Sequence, residues 1–288
     1  MNFLSWVLSF FKKVPHNSFP TDNQGIIEGI RDTDWVSGSI PFEVRNASGD
    51  WRPYLPTDER QSNGRADTMG CVSFSLTNSI EIQIKKLSKQ EFNFSDRFLA
   101  KMSGTTRRGN LLSVVADTVR KYGLVKQETW PEPENYTWET YYSDIPQEII
   151  DKGKTEFPFQ IAYEWIAADR QSLQRHLQHA PIQITIPGSN PIHAVTLVAI
   201  VGDTYFYCDS YYPFLKSMST PPASAFKTVV FDNRIVMRQI AWNDKERGVY
   251  VAFDTQARQL QFKDALISLF PNYRLEEREW NLGKRPWG

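Results

Sequence analysis

Beyond Ala180 the chain changes character. Ile182-Gln-Ile-Thr-Ile186 alternates apolar and polar residues, and apolar runs follow at 193–201, 204–208, 228–231, 234–240 and 249–253, separated by Gly, Pro or Asp-Asn turns. Period-two runs of this length belong to strands, and several in succession belong to an antiparallel sheet or barrel. Ahead of Ala180 the patterning is helical or irregular. Residues 14–60 carry Pro15, Pro20, Pro41, Pro53 and Pro56 with the turn-forming Ala47-Ser-Gly-Asp50, and no helix of useful length fits there. From Cys71 onward, Val72, Leu76, Ile80 and Ile84 recur every four residues as on a buried helix, while Ile80, Ile82 and Ile84 also alternate as on a strand. The helix is preferred, because a nucleophile at its start would gain from it. Leu111–Tyr122 is a clearer helix closed by Gly123, residues 124–142 read as loop, and Ser172–His179 is helical with Ser172 or Asp169 as cap. Lys263–Phe270 is one more amphipathic helix, stopped by Pro271, with a polar and aromatic end through Trp280 and Trp287. A helical front half followed by a β-rich back half defines an α+β chain.

Composition narrows the function classes. The 288 residues suffice for one large domain or two modest ones, with 41% hydrophobic and 23% charged residues as in ordinary soluble proteins. The 33 basic side chains balance 33 acidic ones, so the chain has no electrostatic footprint for nucleic acid. Nine tryptophans and 14% aromatics suit aromatic-rich packing first and a groove for an extended ligand second. Two cysteines cannot build a disulfide framework. Residues 1–13 hold an apolar stretch too short to span a bilayer and no small-residue cleavage site. Phe3, Trp6, Val7, Phe10 and Phe11 share one helical face there, expected to pack on the domain, with peripheral membrane contact through residues 3–13 or a displaceable pro-segment as alternatives. Without signal peptide, membrane span or disulfides, a cytoplasmic location is expected.

Against this background three residues form a pattern. Cys71 lies in Asp67-Thr-Met-Gly-Cys-Val-Ser-Phe-Ser75 at the head of the first long helix; His193 opens a strand 122 residues later, and Asp209 ends the next strand a further 16 residues on. Taken singly, each has a bland reading: a buried thiol, a structural histidine, a turn-forming aspartate. Together they read as a thiol nucleophile, its base, and the residue that orients the base. A thiol is mostly protonated at neutral pH, and both an imidazolium neighbour and a helix N-terminus would favour its anion. The Cys71 backbone N–H is one natural donor to an oxyanion; Gln61 is the chosen side-chain donor, with Asn63 as alternative. Cys208 is left as a small buried strand residue. No metal or other cofactor is expected, since His176 and His179, three apart on a helix, have no third ligand and fit a solvated helix end.

These residues resemble those of papain-like cysteine peptidases over roughly residues 55 to 255. That family places its His and Asn roughly 130–150 residues beyond the Cys; here the intervals from Cys71 are 122 and 138. Arg97-Phe-Leu-Ala, the Gly104 to Gly109 turn, the 111–122 helix and Gly123-Leu-Val-Lys-Gln-Glu-Thr-Trp-Pro131 follow the family's order. Leu173 to Ile186 resembles the helix and strand that precede its catalytic histidine, and His193-Ala-Val resembles its histidine strand. The Asp67–Ser75 segment is also similar to papain-like sequences from phages. The family's Cys-Gly-Ser-Cys-Trp is here Thr68-Met-Gly-Cys-Val72, without the disulfide cysteine and the tryptophan. Its Asn-Ser-Trp is Asp209-Ser-Tyr211, where Tyr211 or Tyr212 takes the shielding place of the tryptophan. Gln61 stands ten residues before the Cys, farther than the family's Gln.

The resemblance implies a two-lobed papain-like fold, with Cys71 on a helix N-terminus in a helical lobe and His193 and Asp209 on a barrel-like β lobe. The layout it implies is an extension over 1–54, a catalytic domain over 55–255 in lobes of about 55–165 and 166–255, and a helix and tail over 256–288. The implied activity is peptide hydrolysis through Cys71, His193 and Asp209, with a protein or peptide lying in the inter-lobe cleft. The alternatives are a cysteine amidase or endopeptidase acting on cell-wall peptides and a catalytically inactive papain-like binding or structural module.

Overall fold

The structure is a computed structural model that describes residues 42–57, 59–64, 66–189, 192–232, 238–244, 247–253 and 275–279, with Gly25–Ile26, Gly38 and Ile40. The expected helices over 3–13 and 263–270 and the aromatic tail lie outside the described residues. The chain divides into two compact units, Met1–Val230 and Phe231–Gly288.

Helix α1 (Cys71–Ser88) is the axis of the first unit, and every residue from 71 to 84 is buried. This resolves the ambiguity of its sequence. Ile80 and Ile84 belong to one apolar cluster, with Leu99, Val115, Val119 and Tyr163, whereas Ile82 belongs to another, with Trp51, Ile184, Val195 and Leu197. Helical spacing and apparent alternation coexist because the helix is buried all round. Its polar residues are bonded to the elements that wrap it. Glu81 accepts the Phe94 N–H at 2.7 Å, Gln83 donates to the Thr228 carbonyl at 3.0 Å, and Thr196 donates to the Ser75 carbonyl at 2.7 Å.

Helix α2 (Asp96–Met102) is capped by Ser95, whose hydroxyl accepts the Phe98 N–H at 3.1 Å. Helix α3 (Leu112–Tyr122) ends at Gly123, as its sequence predicts. The segment expected as loop holds the one-turn helix α4 (Trp138–Tyr141). Arg97, 6% exposed, orders this segment by donating to the carbonyls of Pro131, Thr140 and Tyr141 at 2.7–2.8 Å, its guanidinium 4.5 Å from the Trp130 ring centre. Helix α5 (Gln147–Glu156) has no counterpart in the sequence reading, because it buries only Gly153 and so carries no apolar stripe. Strand β3 (Phe159–Ile166) is also unassigned from sequence, although Phe159, Ile161, Tyr163 and Trp165 alternate. Helix α6 (Arg170–Leu177) takes Asp169 as its cap, through the Ser172 N–H at 2.9 Å.

The back of the unit is a six-stranded sheet. With β1 (Gly25–Ile26) pairing β2 (Gly109–Asn110) elsewhere, its strands are β4 (Ile182–Thr185), β5 (Ala194–Val201), β6 (Thr204–Cys208), β7 (Leu215–Met218) and β8 (Ala225–Asp232), in the order β3-β8-β4-β5-β6-β7. The pairings β8–β4, β4–β5, β5–β6 and β6–β7 are antiparallel. The second unit holds β9 (Arg238–Asp244) between β10 (Arg247–Phe253) and β11 (Leu275–Glu279), all antiparallel.

His176 and His179 correct the expectation of a solvated helix end. They are 6% and 0% exposed, and both Nδ1 atoms accept from the buried Lys227 ammonium, at 3.0 and 3.2 Å. Lys227 also pairs with Glu164 at 2.7 Å, and Glu164 accepts the N–H groups of Gly38 and Ile40. Burial and the Lys227 charge push the two imidazoles down, to about 3 for His176 and about 2 for His179, so both are neutral. Among the described residues no group of three or more His, Cys, Asp or Glu side chains could hold a metal ion, and no helix is long and apolar enough to cross a membrane.

Candidate active site

The sheet register explains how residues 16 apart become neighbours. His193 immediately precedes β5 and Asp209 immediately follows β6, and the antiparallel pairing of Thr196 with Cys208 brings both to the same end of the hairpin. His193 Nε2 lies 2.7 Å from Asp209 Oδ1. The Cys71 thiol is the other group that acts on the imidazole and helps to raise it. Cys71 is the first residue of α1, so its N–H is one of those that a helix's first turn leaves without an intrahelical acceptor. Cys71 as a whole is 4% exposed. Helix, hairpin and turn therefore bring Cys71, His193 and Asp209 together in the order expected from sequence.

The electrostatics of the group follow from its partners. Burial alone would lower His193, but the Asp209 carboxylate and then Cys71 outweigh it and raise the imidazole to about 9. Burial would raise Asp209, yet His193 and Lys216 hold its carboxyl below the usual range. Cys208, 1% exposed, is pushed up by burial and by Asp209, the setting of an inert thiol.

Gln61 reaches the site although it stands ten residues before Cys71. Ser62 and Asp67 form an antiparallel bridge, and the Thr68 N–H bonds the Gln61 carbonyl at 3.0 Å, so a tight hairpin absorbs the extra length. Gln61, the chosen side-chain donor to an oxyanion, has its amide engaged by neighbours. Its Nε2 donates to Asp67 Oδ1 at 2.9 Å and to the Tyr211 hydroxyl at 2.7 Å, and its Oε1 accepts from Ser210 at 2.6 Å. Asn63 faces elsewhere, donating to the Tyr136 carbonyl at 3.0 Å.

Sequence reasoning missed Asp67 and Lys216. Asp67 accepts the Met69 N–H at 2.7 Å, supporting the left-handed Met69 (φ 54°) just before the nucleophile, and its other oxygen accepts from the Tyr211 hydroxyl. Lys216, on β7 opposite Tyr207, places Nζ 2.9 Å from Asp209 Oδ2. Asp67 opens the segment quoted around Cys71, but nothing in its type assigns it these contacts; Lys216 stands in no motif, and strand register brings it here. Of the two candidate tyrosines, Tyr211 covers His193, while Tyr212 is 73% exposed.

No protein-family model and no curated protein matches this sequence. Solved structures do. Xylellain, a cysteine protease from Xylella fastidiosa, is similar with a TM-score of 0.54 at 14% identity, over 75% of this chain and 99% of that one. The fold is papain-like. Digestive procathepsin L 3 of the Tenebrio molitor larval midgut is similar with a TM-score of 0.49 at 16% identity, over 72% and 76% of the two chains. The Carica candamarcensis cysteine protease CMS1MS2, in complex with E-64, has a TM-score of 0.46 at 17% identity, over 62% and 96%. At these identities the likeness is one of fold, and it adds nothing to the phage resemblance. The papain-like α+β architecture, with Cys71 at the start of a buried helix and an antiparallel sheet behind it, is the one expected from sequence.

Proposed function

We propose that this chain is a cysteine-type peptidase. The observation that carries the reading is the His193 ring bonded through Nε2 to Asp209 at 2.7 Å, with the thiol of Cys71, at the head of α1, also acting on the imidazole. In this reading the Cys71 sulfur attacks the carbonyl carbon of a peptide bond while His193 holds the thiol proton as imidazolium. The oxyanion that forms is met by the Cys71 N–H. Gln61 joins that donor by turning one amide hydrogen away from Tyr211. Collapse of the intermediate breaks the C–N bond as His193 delivers its proton to the leaving amine, and a thioester on Cys71 remains. Water then adds to the thioester, giving up a proton to His193, and the acid leaves as the thiol is restored. Asp209 holds the ring and its tautomer throughout.

The test is intact-mass labelling by an epoxysuccinyl peptide at neutral pH, beside turnover of a fluorogenic peptide mixture. One adduct per chain, lost in Cys71→Ala and much slowed in His193→Ala, together with turnover lost in both variants, is the expected result. Absence of both adduct and turnover in folded protein overturns it and favours a binding module on the same scaffold.

A further inference from the structure

We infer that Lys216 is a positioning residue for His193: its ammonium shares the Asp209 carboxylate, so the imidazole faces a charge-compensated acceptor in place of a bare anion. The inference rests on the peptidase reading and adds a member to its site.

Asp209 is 6% exposed at its side chain, and each of its oxygens is engaged. Oδ1 accepts from His193 Nε2 at 2.7 Å and from the Tyr211 N–H at 2.9 Å; Oδ2 accepts from Lys216 Nζ at 2.9 Å. Lys216 comes from the terminal strand of the sheet and is 24% exposed at its side chain, so its stem crosses from the rim to a buried partner. A pair of two solvated ions would do little. This pair ends on the atom group that orients the proposed base. The other titratable groups facing the ring and its carboxylate are the Cys71 thiol from α1, Tyr207 and Cys208 from β6, and Tyr211, whose hydroxyl rests on Asp67. Among the described residues, Lys216 and His193 are the cations that hydrogen-bond Asp209.

The chemistry gives this a purpose. A bare carboxylate stabilises the imidazolium and makes it a reluctant donor to a leaving amine, whereas an acid works best when its pKa lies near the working pH. An ammonium on the second oxygen withdraws part of that stabilisation. The aspartate–lysine couple then presents the ring with an acceptor of reduced charge, closer to what an amide side chain would supply, while keeping the carboxylate's geometry.

The test is the His193 imidazole titration followed by NMR in wild type, Lys216→Gln, Lys216→Met and Lys216→Arg. Lys216→Gln retains a hydrogen-bond donor without the charge, and Lys216→Arg retains the charge. The expected result is an upward displacement of the His193 titration by about half a unit or more in Lys216→Gln and Lys216→Met, and none in Lys216→Arg. Acylation by a peptide substrate should slow about two- to three-fold in the first two, with KM little changed. An unmoved titration in either folded charge-free variant overturns the inference, even if that variant is less stable. Failure of the peptidase reading looks different: His193 in wild type then titrates near a free imidazole and does not respond to Cys71→Ala.

Discussion

Tyr211 lies across the His193 ring, with ring centres 5.0 Å apart and planes tilted by 39°. The contact places Tyr211 against the ring that Asp209 holds, and the Tyr211 hydroxyl ties it to Asp67 and Gln61. Tyr211→Ala should therefore slow acylation about ten-fold by loosening the ring. Tyr211→Phe keeps the cover and releases one Gln61 amide hydrogen, so its acylation rate should stay within about two-fold of wild type. Single-turnover kinetics on the two variants check both expectations; a Phe variant as impaired as the Ala variant would assign the effect to the hydroxyl.

Stability should depend on pH through His193. Its folded value is raised to about 9, above the roughly 6.5 of an unfolded chain. Its contribution is therefore complete below about pH 6.5 and is lost as pH rises through about 9. Thermal unfolding of wild type against His193→Gln should show an advantage on the order of 2–3 kcal/mol at pH 6 that fades by pH 9.5. An advantage that grows with pH would contradict the arrangement.

Gly123 and Gly153 meet where the end of α3 passes α5. A Cβ on Gly123 would lie 2.3 Å from the Gly153 carbonyl oxygen, and one on Gly153 would lie 2.3 Å from that of Tyr122. Gly123 also has φ +76°, which favours glycine. Gly123→Ala and Gly153→Ala should each cost roughly 2–4 kcal/mol, lowering Tm by about 5–10 °C in calorimetry. Gly188→Ala, with open space around its Cβ position, isolates the cost of a positive φ alone and should be milder.

Lys227 and Glu164, 0% and 1% exposed at their side chains, pair at 2.7 Å between β8 and β3. Removing one partner leaves the other charge buried, so Lys227→Met should destabilise by about 3–5 kcal/mol in urea unfolding. Adding Glu164→Gln to that variant should restore part of the loss. A double variant as unstable as the sum of both singles would show that the two ions are not coupled.

The elements that read well from sequence are those with a sustained apolar pattern between clear stops. The Leu112–Tyr122 helix buries one face and ends at Gly123, and β5 is a continuous apolar run, buried on both sides, that ends in the Gly202-Asp203 turn before β6. The long Cys71–Ser88 helix was ambiguous for a physical reason: burial on all sides removes the polar stripe that distinguishes a helix from a strand. Helix α5 hid for the opposite reason, burying a single glycine. At the site, Cys71, His193 and Asp209 were legible from order and spacing. The contacts of Lys216 and Asp67 were not, because strand register brings the one there and a hairpin turns the other toward Tyr211 and Gln61.

Activation of the Cys71 thiol by His193 is read out by site-resolved alkylation. Wild type and His193→Ala would be treated with iodoacetamide at pH 7 and the rate at each cysteine read by peptide mass. The expected result is fast modification of Cys71 in wild type, at least about ten-fold slower in His193→Ala, with Cys208, whose thiol burial and Asp209 push up, unmodified in both. Equal rates at Cys71 in the two folded proteins would contradict that activation.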